Sequence, residues 1–188
     1  TNKAYLYQNI GLCQQEDIFF EHLTVEEHLV FMCEIKGERA NLNEITDLIG
    51  RIDLIDKRYC QCSTLSGGQK RKLCIALALI GNSNIVLLDE PTSGMDVVAK
   101  KALWEFLKYY KKNKILILTT HSLDEAEYLG DRIGIISDGH FICSGTSSYL
   151  KSSYPCGFNL NLLINSQIFN ENFKKEIFDN IKIYDPNA

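Results

Sequence analysis

Ile85-Val86-Leu87-Leu88-Asp89-Glu90 decides the fold of this chain. A short run of apolar residues ending in two adjacent carboxylates is the pattern of a parallel strand. Such a strand is buried on both faces and delivers acids to a site at its C-terminal end. Upstream, Leu65-Ser66-Gly67-Gly68-Gln69 sets a serine hydroxyl and two side-chain-free N–H groups at the mouth of a helix. That is the equipment for gripping a phosphate, because the first N–H groups of a helix lack internal acceptors and its dipole favours negative charge. Two glycines there cost helix stability for no packing benefit, which points to a backbone that must approach a ligand closely. Downstream, Ile115-Leu116-Ile117-Leu118 reads as the next buried strand, ending at Thr119-Thr120-His121.

Outward from this centre the chain reads as an α/β unit. Residues 5–15 are expected to form a strand that runs into a loop at Gln14-Gln15-Glu16-Asp17. Thr24 and Glu27 make a capping box for a helix that places Val25, His28, Leu29, Met32 and Cys33 on one stripe. Phe31 and Ile35 lie off that stripe and suggest a second buried face. A short helix through Ile45, Leu48, Ile49 and Ile52 follows, then a helix over 67–80 behind the glycines. Asp96 is placed to cap a helix reaching Tyr110, and Ser122 with Glu125 offers a further capping box. Asp138-Gly139 between two apolar runs reads as a hairpin with a type I′ turn. From about residue 151 the composition shifts, with a strand expected at 158–164 and a helix near 168–180.

Composition narrows the function classes. The 188 residues are 45% hydrophobic and 23% charged, enough for one sizeable core with a small appendage. A net charge of −4 gives no support to a nucleic-acid partner. The seven cysteines lack the repeated spacing of a zinc site, and they read as reduced thiols of a cytosolic compartment. No apolar run approaches a membrane span. Nothing in the chain matches a phosphate-cradling Gly-x-x-x-x-Gly-Lys-Ser/Thr loop.

Unpaired acids at the end of a buried strand are costly, and a metal and a water would give them partners. Phosphoryl transfer to water needs one carboxylate to help hold Mg²⁺ and another to position or deprotonate the water. Asp89 takes the first role and Glu90 the second. His121 stands where open α/β sheets place ligand groups, and its imidazole can hydrogen-bond a γ-phosphate. His22, His28 and His140 read as surface or packing residues, and Lys70-Arg71-Lys72 as a solvated helix face.

Over residues 5 to about 150 these motifs resemble the nucleotide-binding domain of ABC transporters. Leu65 to Gln69 resembles the signature motif, and Ile85 to Glu90 the Walker B motif. Gln15 falls at the Q-loop glutamine, Ser93-Gly94-Met95-Asp96 at the D-loop, and His121 at the switch histidine. Leu23-Thr24-Val25-Glu26-Glu27-His28-Leu29, Lys70-Arg71-Lys72-Leu73 and Leu129-Gly130-Asp131-Arg132-Ile133 resemble subfamily A, whose members mostly move lipids. The resemblance implies a P-loop NTPase-type parallel sheet with a helical subdomain inserted roughly at 22–80. Residues 1–150 would form the ATPase domain, lacking its Walker A part by N-terminal truncation, and 151–188 the beginning of a regulatory domain. It implies ATP and Mg²⁺ as cofactors, with Glu90 and His121 catalytic and Asp89 and Gln15 at the metal. Gln15, Ser66, Gly67, Gly68, Gln69 and Asp96 would bind nucleotide, the signature acting on ATP held by a second such domain paired head to tail. Partner transmembrane domains would carry the lipid, with this domain on the cytoplasmic side of the membrane. A soluble ABC ATPase of translation or DNA repair, and a non-catalytic binding module, are the alternatives. The 188 residues alone are expected neither to bind ATP tightly nor to hydrolyse it, and to leave Val86 and Leu116 uncovered.

Overall fold

The computed structural model describes residues 8–81 and 83–154. Its contacts divide the chain into two units, Thr1–Leu150 and Lys151–Ala188. The strand and helix expected beyond residue 157, Cys156, and the start of the strand expected from residue 5 lie outside the described residues.

Three strands, β1 (Ile10–Cys13), β2 (Ile85–Asp89) and β3 (Ile115–Thr119), form a parallel sheet in the order β1-β2-β3. The Asp89-Glu90 strand is therefore central. Val86 sits between Gly11 and Leu116 in register, so these residues share one face of the sheet. Helices α1 (Val25–Ile35) and α2 (Leu42–Arg51) precede α3 (Gly67–Leu79), which lies on that face. A Cβ at Gly11 would stand 1.8 Å from the Ala78 carbonyl oxygen, so glycine is required for β1 to lie against α3. From Leu73 to Ile80 every residue is buried, as expected of a helix that is apolar all round. Leu29, Ile45, Ile49, Leu54, Leu73, Ile75 and Leu79 are fully buried and join the helical part to the sheet in one core.

The sheet is not buried on both faces among the described residues, contrary to the expectation for β2 and β3. Val86 and Leu88 are sealed, whereas Ile115 is 61% and Ile117 54% exposed. The reason is parity. Val86, Leu88, Leu116 and Leu118 face the helices, while Ile115 and Ile117 point into a groove of about 660 Å³ along β3 and the start of β4 (Ile133–Ser137). Val86, expected to be uncovered, is thus fully buried, and Leu116 is half-buried.

Local signals explain the element ends. The Thr24 hydroxyl accepts from the Glu27 N–H at 3.2 Å while the Glu27 carboxylate accepts from the Thr24 N–H at 2.8 Å, closing the capping box of α1. Phe31 and Ile35 stay on its open side. Asp96 caps α4 (Val97–Tyr110) by accepting from the Val98 and Ala99 N–H groups at 2.9 Å each. At α5 (Leu123–Leu129) only half of the expected box forms. Ser122 accepts from the Glu125 N–H, but the Glu125 side chain is fully buried and accepts instead from Trp104 Nε1 at 3.0 Å. A carboxylate that loses water needs a donor within the protein, and the half-buried Trp104 supplies one to Oε1.

Strands β4 and β5 (His140–Gly145) pair antiparallel through Asp138 and Gly139, whose positive φ values of 49° and 75° fit the type I′ turn. Helix α6 (Ser147–Ser153) follows. Among the described residues no helix is long and apolar enough to cross a membrane. Their cysteines are free, and burial pushes the Cys13 and Cys62 thiols up to about 11 and Cys74 to about 12, which disfavours thiolate chemistry.

Candidate nucleotide site

The site is built where the central strand stops. Asp89, the last residue of β2, is paired in register with Thr119. The Thr119 hydroxyl donates to Asp89 Oδ1, and among the described residues no hydrogen bond reaches Oδ2. Glu90 adopts a φ of 48°, a left-handed conformation that costs a non-glycine residue about 1–2 kcal/mol. Its N–H is held by the Thr119 carbonyl and hydroxyl oxygens, each at 3.2 Å. In this conformation the Glu90 carboxylate meets His121 two residues past β3, with Oε2 2.8 Å from Nδ1. A carboxylate oxygen only accepts, so the proton of this bond sits on Nδ1, and Nε2 is left for an external group. The imidazole is 80% exposed, whereas the Glu90 side chain is only 20% exposed. An acid braced from one side by an exposed imidazole is the arrangement of a base whose second oxygen can take a proton from water.

The strain at Glu90 persists because its carbonyl is also tied down. Arg71, on α3, is buried, and its guanidinium donates to five main-chain carbonyls. Nη2 reaches Asp89 O at 2.5 Å and Glu90 O at 2.8 Å, and Nε reaches Pro91 O at 3.1 Å. Nη1 reaches Gln14 O at 2.6 Å and Gln15 O at 3.1 Å, with Asp17 Oδ1 at 3.3 Å. The reading of Lys70-Arg71-Lys72 as a solvated face is therefore wrong for its middle residue. Arg71, Cys74 and Ala78 follow i, i+3, i+7 spacing, and Ala78 packs on Gly11, so helical periodicity turns Arg71 toward the sheet. That spacing was the available signal. Thr119 was missed too, because its role depends on the register of β3 against β2.

Gln15 lies in the exposed loop after β1, its carbonyl bonded to Arg71 and its side chain toward solvent. At the other end of α3, Ser66 is the N-cap. Its hydroxyl accepts from the Gln69 N–H at 3.3 Å while Gln69 Oε1 accepts from the Ser66 N–H at 3.0 Å. The Gln69 side chain thus acts here as a cap, and the Ser66 hydroxyl keeps its own proton to donate. A Cβ at Gly67 or Gly68 would meet nothing within 4 Å, and neither residue has a positive φ. Among the described residues nothing requires glycine at either position. The Asp96 carboxyl, held below its ordinary range by the Ala99 and Val98 N–H groups, caps α4. The structure brings Asp89, Glu90, His121 and the Gln15 backbone together. Among the described residues, no hydrogen bond joins Ser66, Gly67, Gly68 or Asp96 to that cluster.

The donors suit Mg²⁺ in a particular way. Among the described residues no group of three or more His, Cys, Asp or Glu side chains could cage a cation. Asp89 nevertheless presents an exposed carboxylate with a free oxygen. Mg²⁺ is commonly held by one or two carboxylates with phosphate and water completing its shell, and this donor set fits that pattern.

Comparison with known proteins gives one answer. The family model described as ABC transporter matches residues 1–93. ABC transporter A family member 6 of Dictyostelium discoideum is 48% identical over 177 residues, covering 91% of this chain and 11% of the relative. Phospholipid-transporting ATPase ABCA3 of Mus musculus is 43% identical over 162 residues, covering 85% of this chain and 10% of the relative. The chain thus spans about a tenth of the length of these curated relatives. A solved structure described as the ATP binding subunit of an ABC transporter superposes with a TM-score of 0.71 at 25% identity, covering 80% of this chain and 64% of that one.

Proposed function

This chain belongs to the ABC transporter family, with its relatives in subfamily A, and we propose that it supplies the water-activating half of an ATPase site in a lipid transporter. The observation that carries this reading is the Glu90–His121 pair beside Asp89 at the end of the central strand. Glu90 takes the proton of the attacking water on its free oxygen, while His121 Nδ1 holds the other oxygen in place. His121 Nε2 is then free to meet the γ-phosphate. Asp89, its Oδ1 bonded by Thr119, and the Gln15 side chain would hold Mg²⁺, which when bound neutralises phosphate charge during transfer.

The exposed Ser66-Gly67-Gly68 turn is assigned to ATP held by a second nucleotide-binding domain paired head to tail, with Asp96 and Gln69 at the same interface. The exposed Phe31 and Ile35 and the adjoining groove of about 360 Å³, lined by Leu12, Ile18 and Met32, are assigned to a helix of the transmembrane domains. The substrate of those domains would be a lipid, as in the phospholipid-transporting relatives, and this domain would sit on the cytoplasmic side of the membrane. Residues from Lys151 onward are assigned to the start of a regulatory domain. Lacking a glycine-lysine phosphate loop, the 188 residues alone would turn over no ATP.

Glu90→Gln in the full-length protein tests the reading. It keeps the shape and the carbonyl bonds but removes the base, so turnover should fall by roughly 10²–10⁴ while ATP binding persists. Hydrolysis near the wild-type rate in that variant would sink the assignment.

A further inference from the structure

One guanidinium joins three pieces of chain that are far apart in sequence: the loop 14–17, helix α3 and the turn 89–91. We propose that Arg71 is a positioning residue for hydrolysis, which locks the Gln15 loop and the Glu90 turn into one rigid unit and holds Glu90 in its left-handed conformation. The proposal rests on the ATPase reading above.

The geometry has three parts. First, the conformation at Glu90 is over-determined: Thr119 fixes its N–H from one side and Arg71 its carbonyl from the other. A strained residue survives only where its surroundings fix it on more than one side, and here the strain aims the carboxylate at His121. Second, the same Nη1 that holds the Gln14 and Gln15 carbonyls belongs to the rigid plane whose Nη2 holds Asp89 and Glu90. A shift of the Gln15 loop is therefore passed to the base through a flat group with no internal torsion. Third, Arg71 rises from the helix that Ser66 caps, five residues before it, so movement of the signature end reaches the same junction along one helix.

The alternative is that Arg71 merely fills and neutralises a buried space. The bonding pattern argues against that. Asp17 is the one carboxylate bonded to the guanidinium among the described residues, and the other five bonds go to backbone oxygens of the two loops. A lysine keeps the charge but has a single compact head that cannot span both loops, so the fork is the tested property.

Arg71→Lys in the full-length protein separates the two. With turnover normalised to bound nucleotide, kcat should fall about tenfold or more while KM for ATP stays within about threefold. In a Glu90→Gln background the same change should cost less than about twofold, because residues acting as a unit are not additive. Loss of folded protein with unchanged kcat per bound nucleotide would overturn the proposal, as would a full tenfold penalty in the Glu90→Gln background. A measurement on the unaltered protein stands independently of the variant's folding. Peptides covering 14–17 and 89–91 should share one opening free energy in hydrogen exchange, and two separate values would overturn the rigid unit. Failure of the ATPase reading looks different: Glu90→Gln alone would then hydrolyse at the wild-type rate.

Discussion

The two ends of the chemistry are built in opposite ways. At the end of β2, the turn after Leu88 is strained and half-enclosed, and its backbone is bonded to Thr119 or Arg71. At the start of α3, the Ser66–Gln69 turn satisfies itself with a local capping box and presents two glycines to open space. The first arrangement commits many interactions to holding one geometry, as the proposed base would require. The second is fixed only by its own local cap and leaves its glycines accessible, as the proposed contact with an external phosphate would require. Helix α3 carries both, with Ser66 at its cap and Arg71 in its second turn.

That contrast can be broken most severely at Gly67. Gly67→Asp puts a negative charge where the partner's phosphate would dock, at a cost of several kcal/mol, so turnover of the full-length protein should fall about a hundredfold. Stability should hold or rise slightly, because a carboxylate in the first turn suits the helix dipole. ATP affinity at the Glu90 site should change less than about threefold. Assays of turnover, melting and nucleotide binding on one preparation check all three, and a variant that loses its own ATP binding but keeps turnover would erase the contrast.

A smaller effect is expected on the fixed side. Thr119→Val keeps the β-branched shape but removes the hydroxyl that serves Asp89 and Glu90. The Glu90 N–H retains the Thr119 carbonyl, so turnover should drop about tenfold, or about 1.4 kcal/mol, with little change in stability. An unchanged rate would mean that Arg71 and the carbonyl of residue 119 suffice to hold the turn without the hydroxyl.

The smallest effect concerns His28, which ties the loop before α1 to the lead-in of the signature. Its Nε2 accepts from the Phe20 N–H at 2.8 Å, and Nδ1 lies 3.2 Å from Cys62 Sγ. Burial holds its pKa below the ordinary 6.5. The unfolded chain therefore binds the proton first, and stability should decline as the pH falls below about 6.5. His28→Leu should cost about 1–2 kcal/mol near neutral pH and flatten that acid limb. Denaturation curves at about pH 7.5 and about 5.5 decide it, and an equally steep limb in the variant would shift the effect to other groups.

Much of this was legible in the chain itself, for reasons of local physics. Thr24, Ser66 and Asp96 could be read as helix starts because a cap is satisfied within three residues. Asp138-Gly139 could be read as a turn because its backbone angles are set by two residues. That Asp89, Glu90 and His121 come together could be read because a parallel sheet delivers its strand ends to one edge. Arg71 could not, because two charged neighbours hid the one position that faces inward. Glu125 could not either, because its partner Trp104 lies on another helix.

Residues adjacent in the chain set three features: an apolar run ending in acids, a glycine-marked helix mouth and a histidine after the next strand. Which groups hold which was set by long-range packing. The Thr119 register, the left-handed Glu90 with its bond to His121, and the Arg71 junction all join residues 18 to 57 positions apart. Short-range patterns encode where a helix or strand begins. A hydrogen bond between distant residues exists only once packing has brought its donor and acceptor within about 3 Å and removed the water that would otherwise compete.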